Sequence, residues 1–66
     1  MKNRLKVERA IHDLTQQQLA DRIGVSRQTI HAIETGKYVP STVLALKLSE
    51  LFGKCVNEIF SLEETD

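Results

Sequence analysis

The sequence predicts an all-α domain of five short helices, and three observations carry that expectation. Turn-forming residues at Asp13, Gly24, Gly36, Pro40 and Gly53 cut the chain into five segments. Asn3, Thr15, Ser26 and Ser41 stand where side-chain oxygens would cap the starts of four helices. No segment sustains the apolar–polar alternation of a strand, the chain ends being the candidate exception.

Taken in order, Asn3 caps a first helix over about residues 4–12, with Leu5 as its secure core residue. Thr15 followed by Gln18 forms a capping box that opens a second helix, about 16–23, and Gly24 ends it. Ser26 caps a third, about 27–34, closed by Gly36. Ser41 caps a fourth, about 42–52, which Gly53 stops. A last turn or two covers about 56–60. Residues 1–3 and 60–63 are candidates for a short β-ribbon joining the two ends.

Size and composition narrow the function. Sixty-six residues make one domain, spanning 1–66, near the lower limit for folding without a disulfide or a metal. Hydrophobic residues at 41% and charged residues at 27% describe an ordinary globule rather than a disordered tail. So small a core leaves little room for a substrate pocket, which favours a binding module. No secretory signal is apparent, and no apolar run approaches the roughly 18 residues that cross a membrane. The default compartment is the cytoplasm.

Cys55 is alone, so no disulfide forms within the chain, and it reads as a buried or half-buried thiol. His12, His31 and Cys55 have no metal-ligand spacing. Neither a metal nor a cofactor is implied. The net charge is zero, yet residues 1–38 carry seven basic side chains against four acidic ones, and the rest of the chain reverses that balance. Such polarity can orient a protein on a polyanion, and it equally describes an uneven solvated surface.

The second and third segments form a more specific pattern. Leu19, Ala20 and Ile23 make the inward face of one helix, Ile30 and Ile33 that of the next, and Val25 plugs the turn. Counting from Gln16, the fifth position is the small Ala20, where crossing helices come closest. The ninth is Gly24, which takes a positive φ cheaply. Those positions, in phase and capped at both starts, describe a helix-turn-helix.

With these residues in view, "LTQQQLADRIGVSRQTIHAIETGKYVPS" resembles the Cro/C1-type helix-turn-helix regulators, the phage-repressor-like or xenobiotic-response-element family. The resemblance runs from about Leu5 through Phe60. It implies a five-helix domain that binds double-stranded operator DNA, usually as a two-fold dimer. Because Ile30 and Ile33 point inward, Arg27, Gln28 and His31 lie on the outward side of the third helix, toward its N-terminal end. They are the candidate base readers: Arg suits guanine O6/N7 and Gln suits adenine N6/N7.

By resemblance Gln16 grips the DNA backbone and braces Arg27 or Gln28. Gln17, Thr29, Lys37 and Tyr38 are further backbone candidates. Ser26 caps its helix and also sits at a position close to DNA in this family. Arg9 and Glu34 match a structural salt bridge of the family, with DNA contact as the second possibility for Arg9. Glu8 departs from the family, which has an apolar residue there, and this leaves Val7 and Ile11 as either inward or partly exposed.

The fourth helix is apolar nearly all round. The family pattern puts Ala45, Leu46 and Phe52 inward, leaving Leu44, Leu48 and Leu51 to pack under the fifth helix or to reach another subunit. Val56 and Phe60, with Leu62 and the Val39–Pro40 loop, form the expected homodimer interface. The leading function is thus a sequence-specific DNA-binding transcriptional regulator, most simply a repressor on an inverted-repeat operator. A protein-interaction module such as an antitoxin is the alternative; it would carry an extra toxin-binding segment, whereas only "SLEETD" follows Phe60. No nucleophile–base pair, meaningful carboxylate pair or phosphate-cradling loop points to an enzyme. No small-molecule ligand is evident.

Overall fold

In the computed structural model, which describes residues 1–66, five helices are closed off by a two-stranded ribbon. Strand β1 (Lys2–Asn3) precedes α1 (Leu5–Ile11), α2 (Gln16–Ile23), α3 (Arg27–Glu34), α4 (Thr42–Phe52) and α5 (Val56–Ile59), and β2 (Phe60–Ser61) follows. The strands run antiparallel, with Lys2 opposite Ser61 and Asn3 opposite Phe60. The expected terminal ribbon therefore forms.

Three of the foreseen caps form with their own side chains. Thr15 accepts the Gln18 N–H while the Gln18 side chain accepts the Thr15 N–H, closing a capping box over α2. Ser26 accepts from Thr29 at the head of α3, and Ser41 from Leu44 at the head of α4. Gly24 and Gly53 end their helices in the left-handed conformation. The first cap differs from expectation. Asn3 lies in β1, so Arg4 is the residue that flanks α1, and its side chain caps nothing. Asn3 still serves the same end, accepting the Leu5 N–H at 3.2 Å while donating to the Ile33 carbonyl at 2.8 Å.

Leu5, Leu19, Ala20, Ile23, Ile30, Ile33, Leu44, Leu48, Phe52, Ile59 and Phe60 form one buried cluster drawn from every helix. Ala20 is fully buried, as the close crossing of α2 and α3 demands. Val25 and Leu14 pack against the rim of the cluster.

Three further expectations are corrected. In α4 the inward stripe is Leu44, Leu48 and Phe52, spaced four apart, so Leu46 faces outward and is 55% exposed. Ala45 and Leu51 are partly buried flanks of that stripe. Phe60, expected on a partner-facing surface, instead closes the core, because pairing with Asn3 turns it inward. Cys55 is exposed rather than buried, since it flanks the first turn of α5.

Glu8 settles how α1 is rotated. It is fully buried, and Val7 and Ile11 are consequently exposed. Lys54 Nζ reaches Glu8 Oε1 at 2.6 Å, tying α1 to the corner between α4 and α5. Ser49 holds that corner by donating its hydroxyl to the Lys54 carbonyl. The second oxygen, Oε2, is sealed without a partner.

Candidate nucleic-acid interface

The helix-turn-helix is built by α2, the left-handed Gly24 and α3. Burial of Ile30 and Ile33 fixes the rotation of α3, and 100° per residue then decides what its outer face presents. Arg27, Gln28 and His31 are all exposed there. Neither the Arg27 guanidinium nor the Gln28 amide has a hydrogen-bond or ion-pair partner in the chain. Two long polar side chains stand free beside the N-terminus of a helix, where the dipole is positive.

Around them sit the other candidates. Ser26 and Thr29 are joined hydroxyl to hydroxyl at 3.0 Å, and the Ser26 oxygen is engaged in its cap. Gln17 donates to Asp21 at 2.8 Å along the outer face of α2. Lys37 and Tyr38 are exposed in the loop after α3, held there by backbone bonds from both residues to the Ala32 carbonyl. The N–H groups of Gln16 and Gln17, in the first turn of α2, have no acceptor within the helix.

Arg9 and Glu34 meet edge to edge. Arg9 Nε donates to Glu34 Oε2 at 2.8 Å and Nη2 to Oε1 at 3.3 Å, while Nη1 donates to the Leu14 carbonyl at 2.9 Å. The guanidinium thus locks the last turn of α3 to α1 and to the α1–α2 connection. The Glu34 side chain is only 5% exposed. Each of the three Arg9 nitrogens thus makes a hydrogen bond inside the fold.

The Gln16 side chain makes no hydrogen bond to Arg27 or Gln28. Its amide nitrogen instead donates to Glu34 Oε1 at 3.1 Å and lies 3.4 Å from His31 Nδ1. No sequence pattern signalled this link, because it depends on the exact angle at which α2 crosses α3.

A largely apolar groove lies elsewhere, lined by Met1, Val39, Pro40, Thr42, Ala45, Leu46, Val56 and Phe60. It shares no residue with the polar face of α3. Leu62, 78% exposed, extends the apolar surface past Val56 and Phe60. Met1, Thr42, Ala45 and Leu46 are the members that the sequence did not mark.

No helix is long and apolar enough to cross a membrane. A family model described as helix-turn-helix matches residues 5–58. The chain is 54% identical over 66 residues to an HTH-type transcriptional regulator of Methanocaldococcus jannaschii, covering all of both chains. It is 47% identical over 64 residues to one of Bacillus subtilis, covering 97% of each, and 42% identical over 66 residues to one of Archaeoglobus fulgidus, covering all of this chain and 93% of that relative.

Proposed function

The chain belongs to the Cro/C1-type helix-turn-helix family of transcriptional regulators, and from that premise we propose that it is a cytoplasmic, sequence-specific DNA-binding repressor, residues 1–66 acting as one domain. In this reading α3 lies in the major groove of an inverted-repeat operator, with Arg27, Gln28 and His31 toward the base edges. The observation that carries it is the pair of unpartnered side chains, Arg27 and Gln28, on a helix whose other face is fixed by the core. Arg27 suits a guanine and Gln28 an adenine.

Phosphate contacts come from groups at the margin of the same face. The free N–H groups of Gln16 and Gln17 point from the positive end of α2, a ready site for a phosphate oxygen. Lys37 supplies charge, and Tyr38, Thr29 and Ser26 supply hydroxyls. Two copies assemble through the groove around Leu46, with Val39, Pro40, Val56 and Leu62 at its margins and Phe60 as its floor. Dimerisation doubles the few base-reading side chains that one domain offers.

The test is selection of bound duplexes from a random library, followed by footprinting of the enriched sequence. The expected winner has two inverted half-sites with centres about 34 Å apart. Enrichment of no sequence, or of a single half-site without symmetry, would overturn the reading.

A further inference from the structure

We propose that Gln16, oriented by Glu34, holds His31 as the tautomer with its proton on Nε2. His31 then meets DNA as a fixed hydrogen-bond donor and selects a base edge that accepts. The DNA half of this inference rests on α3 lying in the major groove; the proton position stands without it.

Arg9 donates to both oxygens of Glu34, so the carboxylate plane is set before Gln16 is considered. An ionised carboxylate only accepts hydrogen bonds. The Gln16 atom that lies 3.1 Å from Glu34 Oε1 is therefore the NH2 nitrogen, for the reverse orientation would press two oxygens together. One of its hydrogens goes to Glu34. The nitrogen itself carries no free lone pair to offer, and His31 Nδ1 faces it at 3.4 Å. An N–H at Nδ1 would meet another N–H. Nδ1 must present its lone pair instead, and a neutral imidazole then carries its hydrogen on Nε2.

His31 Nε2 makes no hydrogen bond within the chain, and the residue is exposed. A donor there matches purine N7, guanine O6 or thymine O4. It does not match the amino groups of adenine N6 or cytosine N4. Arg27 and Gln28 lie four and three positions earlier on the same helix, so His31 extends their reading surface by one turn. Gln16 becomes a positioning residue: with its amide hydrogens turned toward Glu34 and His31, its side chain is withdrawn from the phosphate role and only its backbone N–H is left for that contact.

The experiment has two arms. In the first, ring nitrogens of 15N-labelled protein are recorded at pH 8 without DNA; His12 is the other histidine, so His31→Ala assigns the spectrum. The wild type should show the proton on Nε2 of His31. Gln16→Leu, which removes the donor without setting a second carboxylate against Glu34, should raise the share of rings with a proton on Nδ1 toward that of the exposed imidazole alone. A wild-type proton on Nδ1, or a tautomer balance unchanged in Gln16→Leu, overturns the proposal. In the second arm, bound sequences are selected with wild type, His31→Ala and Gln16→Leu. His31→Ala should relax one position per half-site, and Gln16→Leu should lower the preference at that same position about fivefold, the worth of one hydrogen bond. Uniform weakening of all sequences by Gln16→Leu would overturn the positioning role. If the ring arm succeeds while the wild type selects no sequence, it is the DNA reading that fails, and the base-selecting role fails with it.

Discussion

A carboxylate sealed inside a small domain needs a cation beside it, and Glu8 has Lys54. The pair need not be stabilising, because both groups lose hydration and Oε2 remains without a donor. Glu8→Leu should therefore leave stability unchanged or raise it by about 1 kcal/mol, whereas Lys54→Met strands a buried charge. Its loss should fall at the lower end of about 3–5 kcal/mol, since Lys54 is partly exposed. Urea unfolding of both variants decides the matter; a Glu8→Leu protein less stable than Lys54→Met would refute this account. Glu8 illustrates a limit of sequence reading: its departure from the family pattern was visible, but its partner lies 46 residues away. Arg27 and Lys37 make a different contrast. Arg27→Ala should cost about 1–3 kcal/mol of binding and relax one G·C position. Lys37→Ala should weaken all sequences alike and reduce the log–log salt slope by about 0.9. Affinity measured over a salt series, on the selected site and on random duplex, separates the two roles.

At the scale of elements, the chain is held by its punctuation. Caps and left-handed residues set where the helices stop, and these were legible because each depends on residues within one turn of another. Gly24 has a φ of +75°, and nothing lies within 4 Å of where a Cβ would stand. Gly24→Ala should therefore destabilise by the backbone term alone, about 1–2 kcal/mol. Asp13 is the reverse case, a non-glycine residue with φ of +55° in the connection after α1. Asp13→Gly should be neutral or stabilising by up to about 1 kcal/mol. Opposite signs in thermal unfolding confirm that left-handed geometry governs both corners; a loss at Asp13 equal to that at Gly24 would contradict it. What periodicity could not resolve was the rotation of α4. With apolar residues on every side, its pattern fits several inward faces, and only the packed neighbours select Leu44, Leu48 and Phe52 over Leu46.

Across the whole molecule, the two ends of the chain meet. The Met1 ammonium lies 3.2 Å from Asp66 and 3.3 Å from Glu63. The hydrogen bond that the ammonium donates to Asp66 above all raises the amine from its ordinary 8.0, and the hydrogen bond donated by the Glu63 N–H, followed by that from the ammonium, lowers Asp66 from 3.8. The Asp66 contribution is thus present above about pH 4 and lost as pH falls through its folded value. The amine contribution is complete below about pH 8 and lost as pH rises past it. The stability difference between wild type and Asp66→Asn should accordingly be widest between those limits and shrink on both sides; a difference independent of pH would rule out the ionic tie.

The same closed end borders the apolar groove, and a partner there must cover a substantial surface. A stable interface removes about 800 Å² from each subunit, nearly a fifth of the 4436 Å² that this domain exposes. The exposed Leu46 in the groove, with Val39 beside it and Leu62 beyond it, is the apolar surface that such a contact would cover. The domain measures 32 × 23 × 21 Å, so two copies joined along the groove can set equivalent outer faces farther apart than one domain width. That accommodates recognition helices about 34 Å apart. Phe60 is unsuited to testing this, because a charge on a side chain 5% exposed would unfold the monomer. Leu46 is suited, being exposed in the single subunit yet central to the groove. Leu46→Glu should keep the helical circular dichroism and melting behaviour of a folded domain, sediment as a monomer at tens of micromolar where the wild type should sediment as a dimer, and lose tight binding to the two-half-site duplex. A wild type that is monomeric under those conditions, or a Leu46→Glu protein that stays dimeric, places the subunit contact elsewhere.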